Sequence, residues 1–386
     1  MIQRTFLLGL VLALTLLPSN LASAALPLVQ REWQASGLAS GWVIGAYQAG
    51  YLISAVILLP LSDRLSARLI IVGGALAAAL AALLFPFFAT DVWSAAFLRI
   101  LGGLGLAGVY LPGVRVIAST ASAQRRGLAV GAYVSCFYLG SALSLWLTGL
   151  WMTDLGWRGA GVVLGLLGLL AVPAALLGTR GLPRPSGGRA ALDLNVLRDG
   201  PVARTITAYT GHSWELYVAR GWLAAFLASL LLAQGLAPAD AASSGSQWAA
   251  LMLGMGTVGV WLGGWLSDYG GRARTALLIA LASGALAFAL AGSSGWPWPL
   301  LLGVGCLFGL LVSADSSIYS TAIAELTPLG KLGSAQACQA VIGFSATLLA
   351  PMTAGLALDL GFGWPGGFIL AGVVGIALAL PLVRDA

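Results

Sequence analysis

Residues 264–274 read Gly264-Trp265-Leu266-Ser267-Asp268-Tyr269-Gly270-Gly271-Arg272-Ala273-Arg274, a polar turn set between two apolar runs, 246–267 and 275–294. Stretches of about 20 apolar residues are what a helix needs to cross a bilayer, so a turn of this kind marks a crossing and a return. The same device stands earlier, where Leu61-Ser62-Asp63-Arg64 and then Arg68 separate the runs 39–61 and 68–89. Asp63 and Asp268 are 205 residues apart. A second pair of turns has the same offset: Asp154-Leu155-Gly156-Trp157 and Asp359-Leu360-Gly361, with Trp364 shortly after. Two echoes at one spacing mean that the chain repeats itself.

Working outward from these turns, polar breaks divide the sequence into twelve apolar segments: 5–28, 39–61, 68–89, 93–119, 128–153, 159–179, 205–234, 246–267, 275–294, 297–322, 333–357 and 365–383. One break is long, 180–204, and rich in Pro, Gly, Arg and Asp. It predicts an N-terminal six-helix bundle over 1–179, a cytosolic linker over 180–204 and a C-terminal six-helix bundle over 205–386. Composition agrees. Of the 386 residues, 59% are hydrophobic and 8% charged, about a third of the charged share of a soluble domain, which excludes a water-soluble globule, a coiled coil and a disordered tail. The 53 glycines suit helices that approach closely in lipid. Arg4, an apolar run and Ala22-Ser23-Ala24 together have the form of a cleaved signal peptide, but removal would leave eleven spans and an unmatched half, so the first segment is read as a span.

The 19 basic residues orient the chain. With a cytosolic N-terminus, fourteen of them, from Arg4 to Arg384, fall on the inner side, and only Arg31 and Arg158 fall outside. Positive charge accumulates on the cytoplasmic side of membrane proteins, so both termini are expected in the cytosol and the net charge of +6 serves orientation rather than nucleic-acid binding. The expected location is a bacterial-type inner membrane. Cys136, Cys306 and Cys338 lie in apolar runs without paired spacing, so neither a disulfide framework nor a metal site is indicated.

With these turns in view, the chain resembles the major facilitator superfamily of secondary transporters. Gly264–Arg274 is similar to that family's signature loop, and its first copy departs from it, with Leu59 and Ser66 where glycines are usual. Arg99, Gly103, Gly105 and Ala107 resemble its fourth-helix motif. The resemblance implies an all-α polytopic protein of twelve transmembrane helices in two pseudo-symmetric six-helix bundles, alternating access around a central site, and conformational roles for Asp63, Arg64, Arg68, Asp268, Arg272, Arg274 and Arg99. A carboxylate at a helix end can meet Arg and a neighbouring helix terminus, which is compatible with a latch that closes and releases.

Ionisable residues at membrane depth are expensive and mark functional positions. At about 1.5 Å per residue, His212 lies about 12 Å and Glu215 about 16 Å from the inner boundary at Arg204, with Arg220 at about 24 Å. Arg115 and Asp315 come to about 14 and 15 Å. His212 and Glu215, three apart, stand one turn from each other. A carboxylate whose partner moves can load and release a proton, so Glu215 with His212 is the candidate proton site. Arg115 is the candidate anchor for an anionic group or counter-charge; Asp315 is its match in the other half, and an Arg115–Asp315 pair is a structural alternative. Arg220 can recruit anions or snorkel. Tyr47 and Tyr51, four apart, share a face of the second span and are candidate cavity residues.

No Walker loop, HExxH or GxSxG occurs, so neither ATP drive nor catalysis has a foothold and no cofactor is expected. The predicted activity is proton-coupled transport of a small polar solute by a monomer in a lipid bilayer. A carrier of nitrate, cyanate or carboxylate-like anions and a proton-driven drug efflux pump are the alternatives. The second and eighth spans, where nitrate carriers of the resembled family are expected to carry arginines, have none.

Overall fold

A computed structural model describes residues 2–61, 65–122, 126–182, 193–328 and 330–386. The signature turn's first copy, with Asp63 and Arg64, lies outside them. Among the described residues the chain is helical throughout: α1 (Ile2–Leu16), α2 (Leu21–Ala24), α3 (Leu26–Trp33), α4 (Gly37–Leu61), α5 (Ala67–Phe88), α6 (Val92–Thr120), α7 (Arg126–Leu169) and α8 (Ala171–Gly178) precede the central stretch. After it come α9 (Gly200–Ala233), α10 (Pro238–Gly254), α11 (Gly256–Gly270), α12 (Arg272–Ala291), α13 (Trp298–Ala314), α14 (Ser316–Leu326), α15 (Leu332–Asp359) and α16 (Gly363–Ala379). Nine stretches among the described residues are long and apolar enough to cross a membrane, and one of them, Leu128–Gly178, holds two expected spans in 51 residues.

The helices depart from the twelve simple runs at identifiable residues. The first span breaks into α1, α2 and α3 around Pro18, which has no N–H and crowds the preceding turn. Past the break the backbone N–H of Asn20 donates to Ser144 Oγ of α7 at 2.9 Å, and the Asn20 side-chain amide donates to Ser141 O at 2.9 Å and Ser141 Oγ at 2.8 Å. The fifth and sixth spans join through Gly156, whose φ of 67° interrupts α7. Its echo, Gly361, has φ 83°. The repeated Asp-Leu-Gly turn thus repeats a left-handed backbone that any side chain would strain. The eighth span starts earlier than 246, at Pro238, and is divided at Met255. Residues that read as a polar break are spent on packing: Ser243 Oγ donates to Gly149 O at 2.6 Å and Ser246 Oγ to Leu145 O at 2.7 Å. The tenth span is divided at Asp315, which ends α13 and starts α14.

Two compact units result. One comprises Met1–Ala35, Ala46–Arg189 and Leu227–Ala250; the other comprises Ser36–Gly45, Ala190–Phe226 and Leu251–Ala386. In the first unit α5 and α6 pack through small residues, and a Cβ on Gly105 would press into Gly74 and Ala78. In the second, the Asp359 carboxylate accepts from Gly37 N at 2.6 Å and Leu38 N at 2.8 Å, capping the start of α4. A short helix, Leu194–Arg198, follows Asp193, whose carboxyl is held below the usual carboxylate range by the Asn195 N–H and amide and then by Lys331. Ser334 Oγ accepts from Asp193 N at 2.9 Å, seating this turn on α15.

Candidate functional site

The second unit gathers three of the membrane-depth ionisable residues. Its scaffold is the part of α9 up to Phe226, against the α13–α14 junction and α12. The break at Asp315 sets that residue where the two short helices meet. His212 and Asp315 are 6% and 3% exposed, and His212 Nδ1 stands 2.7 Å from Asp315 Oδ1. The contact is close but off the ring's donor axis, because Oδ1 completes no aligned hydrogen bond among the described residues. Asp315 Oδ2 accepts from the Tyr319 hydroxyl at 2.8 Å, one turn along α14. On the other side of the ring, His212 Nε2 and Ser316 Oγ share a hydrogen bond of 2.7 Å. Tyr209 stacks on His212 at 6.0 Å between centroids, and Tyr319 tilts against it at 5.7 Å.

Glu215 turns elsewhere. Only 2% exposed, it accepts from Ser283 Oγ of α12 at 2.9 Å through Oε2, while Oε1 has no hydrogen-bond partner among the described residues. It fits against α16 because position 375 is glycine: a Cβ there would stand 3.0 Å from Oε2. Glu215, Asp315 and Tyr319 are close enough to interact electrostatically. A serine hydroxyl donates and accepts, so Ser283 can serve Glu215 in either protonation state. His212 and Glu215 therefore occupy one neighbourhood but face different helices. Within this unit Asp315 meets His212 through Oδ1 and Tyr319 through Oδ2. Arg220 is half-buried, its guanidinium 5.5 Å from the Tyr217 ring centroid.

At one end of the same unit the signature turn forms an ion cluster. Arg272 donates to Asp268 at 2.5 Å and Ser267 at 2.7 Å, and reaches Glu325 at the end of α14 through two bonds of 2.9 and 3.2 Å. Nearby, Arg204 clasps Asp385 through two bonds of 2.7 and 2.5 Å. Arg274 is exposed. Glu325, which the sequence offers only as the end of a run, is the partner that links the turn to α14.

In the first unit, Arg99 and Tyr47 come together. Arg99 is 7% exposed, donates to the Ser19 carbonyl at 2.5 Å and lies 4.7 Å from the Tyr47 ring centroid. Its motif glycine Gly103 lets α6 reach α4, since a Cβ there would overlap the Tyr47 carbonyl. A cavity of about 30 Å³ adjoins them. Tyr51 is buried and begins an aromatic row with Tyr110 and Tyr133. Arg68 and Arg115 are exposed in the unit. Outside the spans, Glu32 takes Arg158 in two bonds of 2.9 and 2.5 Å and the Trp157 indole at 3.0 Å. The Arg158 bond holds the Glu32 carboxyl below its ordinary range against the opposing effect of burial.

Comparison with known proteins fits this architecture. Residues 8–260 match the sequence profile of the Major Facilitator Superfamily. The gallate transporter of Pseudomonas putida is 25% identical over 93% of this chain and 86% of its own length. Among solved structures, a D-xylose–proton symporter superposes with a TM-score of 0.76 at 15% identity, covering 99% of this chain and 97% of its own. The inward-open xylose transporter of Escherichia coli gives 0.77 at 14% identity, covering 98% and 95%.

Proposed function

The chain belongs to the major facilitator superfamily, and from that premise we propose that it carries a small polar solute across the cell membrane in step with protons. It is a secondary transporter working by alternating access. The observation that carries the proton reading is the His212–Asp315 contact, with Glu215 beside it, buried inside helices that cross the bilayer. Groups so placed cost free energy and mark functional positions, and a pair held by hydroxyls from Ser316 and Tyr319, beside a Glu215 held by Ser283, can take up a proton without leaving a buried donor stranded. The basic-residue bias supports cytosolic termini, and the 205-residue offset supports an N-terminal bundle over 1–179 and a C-terminal one over 205–386, working as a monomer. Arg272 with Asp268 and Glu325 would tie or release the inner end of the second bundle.

The test is flux into proteoliposomes under an imposed pH gradient, with gallate, D-xylose and ethidium as probes. The gradient is expected to drive one of them, and Asp315→Asn or Glu215→Gln to remove the drive. Full gradient-driven flux in both variants would overturn the proton assignment. A second reading, a carboxylate as the solute, is favoured by likeness to a gallate transporter over nearly the whole chain. Arg115, deep in its span and exposed, is then the anchor, and Arg115→Lys should abolish gallate flux. Transport of ethidium alone would favour efflux of lipophilic cations instead.

A further inference from the structure

One cavity in the second unit lies apart from the His212–Asp315 contact, at the end of the bundle that carries Arg272. It measures about 330 Å³, room for on the order of ten waters, where the space beside Arg99 holds one or two. Its rim is ionic: Arg272 with Glu325, and Asp385 with Arg204 behind it. Its walls are the first turns of α9 and α12, most of α14 and residues Leu382 and Asp385, with Thr205, Ala276, Ile318, Tyr319 and Ala322 among the lining. Ala276, Ile318 and Tyr319 of this lining also belong to a buried core with Ala208, Ala280, Ala314 and Ala379. From Glu325 at the rim to Tyr319 is six residues of α14, about 9 Å, and Asp315 lies one further turn, about 6 Å, beyond. Tyr319 thus stands in the cavity wall and also donates its hydroxyl hydrogen to Asp315 Oδ2.

We propose that this cavity is a water-filled port by which the cytosol reaches the buried Asp315–His212 pair from within the second bundle, with Tyr319 as the last donor of the relay. The proposal rests on the proton-linked reading and says where the proton enters. The step balances simply. A hydronium in the port gives a proton to Tyr319 Oη while the proton already on Oη passes to Asp315 Oδ2, leaving water, an unchanged tyrosine and a protonated carboxyl against His212. The charged and titratable groups around the pair are few. On α9 they are Tyr209 and Glu215, and on α14 Tyr319 and Glu325. Arg272 heads α12, Asp268 stands on α11 beside it, and Asp385 pairs with Arg204 at the rim. Neither α13 nor α16 carries a charged side chain. The paired rim keeps the mouth wet without presenting a net charge that would repel a hydronium.

The full-length protein in proteoliposomes tests this, with Cys136, Cys306 and Cys338 changed to serine and a single Ala322→Cys or Ala276→Cys introduced. Both cysteines are expected to react with a small, charged methanethiosulfonate. The attached group should slow, by at least tenfold, the rise of a protonated-carboxyl infrared band after a jump to acid pH; that band is identified by its loss in Asp315→Asn. Tyr319→Phe, in the otherwise unaltered chain, should slow the same band. Cysteines that react only after denaturation would show a dry cavity and overturn the proposal. So would labelling or Tyr319→Phe that leaves the rate unchanged, or a band that survives Asp315→Asn. Failure of proton-linked transport is read separately, as wild-type flux of the probes indifferent to the imposed gradient.

Discussion

Replacing Asp315 by leucine removes the acceptor for a tyrosine hydroxyl that is 1% exposed and the neighbour of a histidine nitrogen 2.7 Å away. Each orphaned group costs about 1–3 kcal/mol, and breaking a buried pair from one side costs about 3–5 kcal/mol, so Asp315→Leu should destabilise the protein by roughly 3–5 kcal/mol. Asp315→Asn keeps an oxygen for Tyr319 and should cost about 1 kcal/mol, the loss of one favourable contact. The diagnostic variant is the double, His212→Phe with Asp315→Leu. Once the imidazole is gone, its share of the penalty goes with it, so the double should be more stable than the two singles summed by about 0.5–3 kcal/mol. Thermal unfolding in detergent reads all four proteins under one condition; at this chain length each kcal/mol moves the midpoint by only about 1 °C, so denaturant titration should accompany it. Additive singles, with no coupling beyond error, would refute the claim that the 2.7 Å contact carries energy.

Other expectations follow from single positions. Gly361→Ala and Gly156→Ala should each cost about 1–2 kcal/mol, because both glycines hold positive φ, whereas Gly295→Ala, with open space and no such backbone, should be neutral; unfolding midpoints compare them. The Glu32 carboxyl is held below its ordinary value of 4.5 by Arg158, so its contribution is present above that value and is lost as pH falls through the lowered one. With both partners partly exposed, the loss should be at most about 0.5 kcal/mol, and Arg158→Ala should erase it in an acid titration of stability. Arg272→Ala strands the Glu325 carboxylate and frees the 267–272 turn from α14; proteolysis between α11 and α12 should accelerate severalfold, and Arg272→Lys should restore protection only in part, because a lysine cannot reproduce the fork.

The turns were the most legible feature of the sequence because a bilayer makes each crossing a long apolar run and each return a short polar one. Spacing also placed His212, Glu215 and Asp315 at similar depth. It could not say which helices they face. His212 and Glu215 are three residues apart, yet Asp315 and Tyr319 meet one and Ser283 the other, and that choice depends on how α12 and α14 pack. Ser283 carried a weak sign, a hydroxyl inside the run 275–294, but serines are common there and often bond their own helix. The early start of α10 was hidden for a related reason: Ser243 and Ser246 read as a polar break because their acceptors lie about a hundred residues away in the chain. The break at Pro18 had a local sign in the proline itself, whereas nothing in the run 297–322 marks Asp315 as the point where one helix ends and the next begins.

The interleaving of the two compact units limits how the chain can be dissected. Each borrows a strip from the far side of the central stretch, Ser36–Gly45 in one direction and Leu227–Ala250 in the other. A fragment cut at the middle would therefore lack part of its own packing, and a chimera that exchanges halves between relatives would have to carry matched strips, down to Gly37, whose N–H donates to the Asp359 carboxylate.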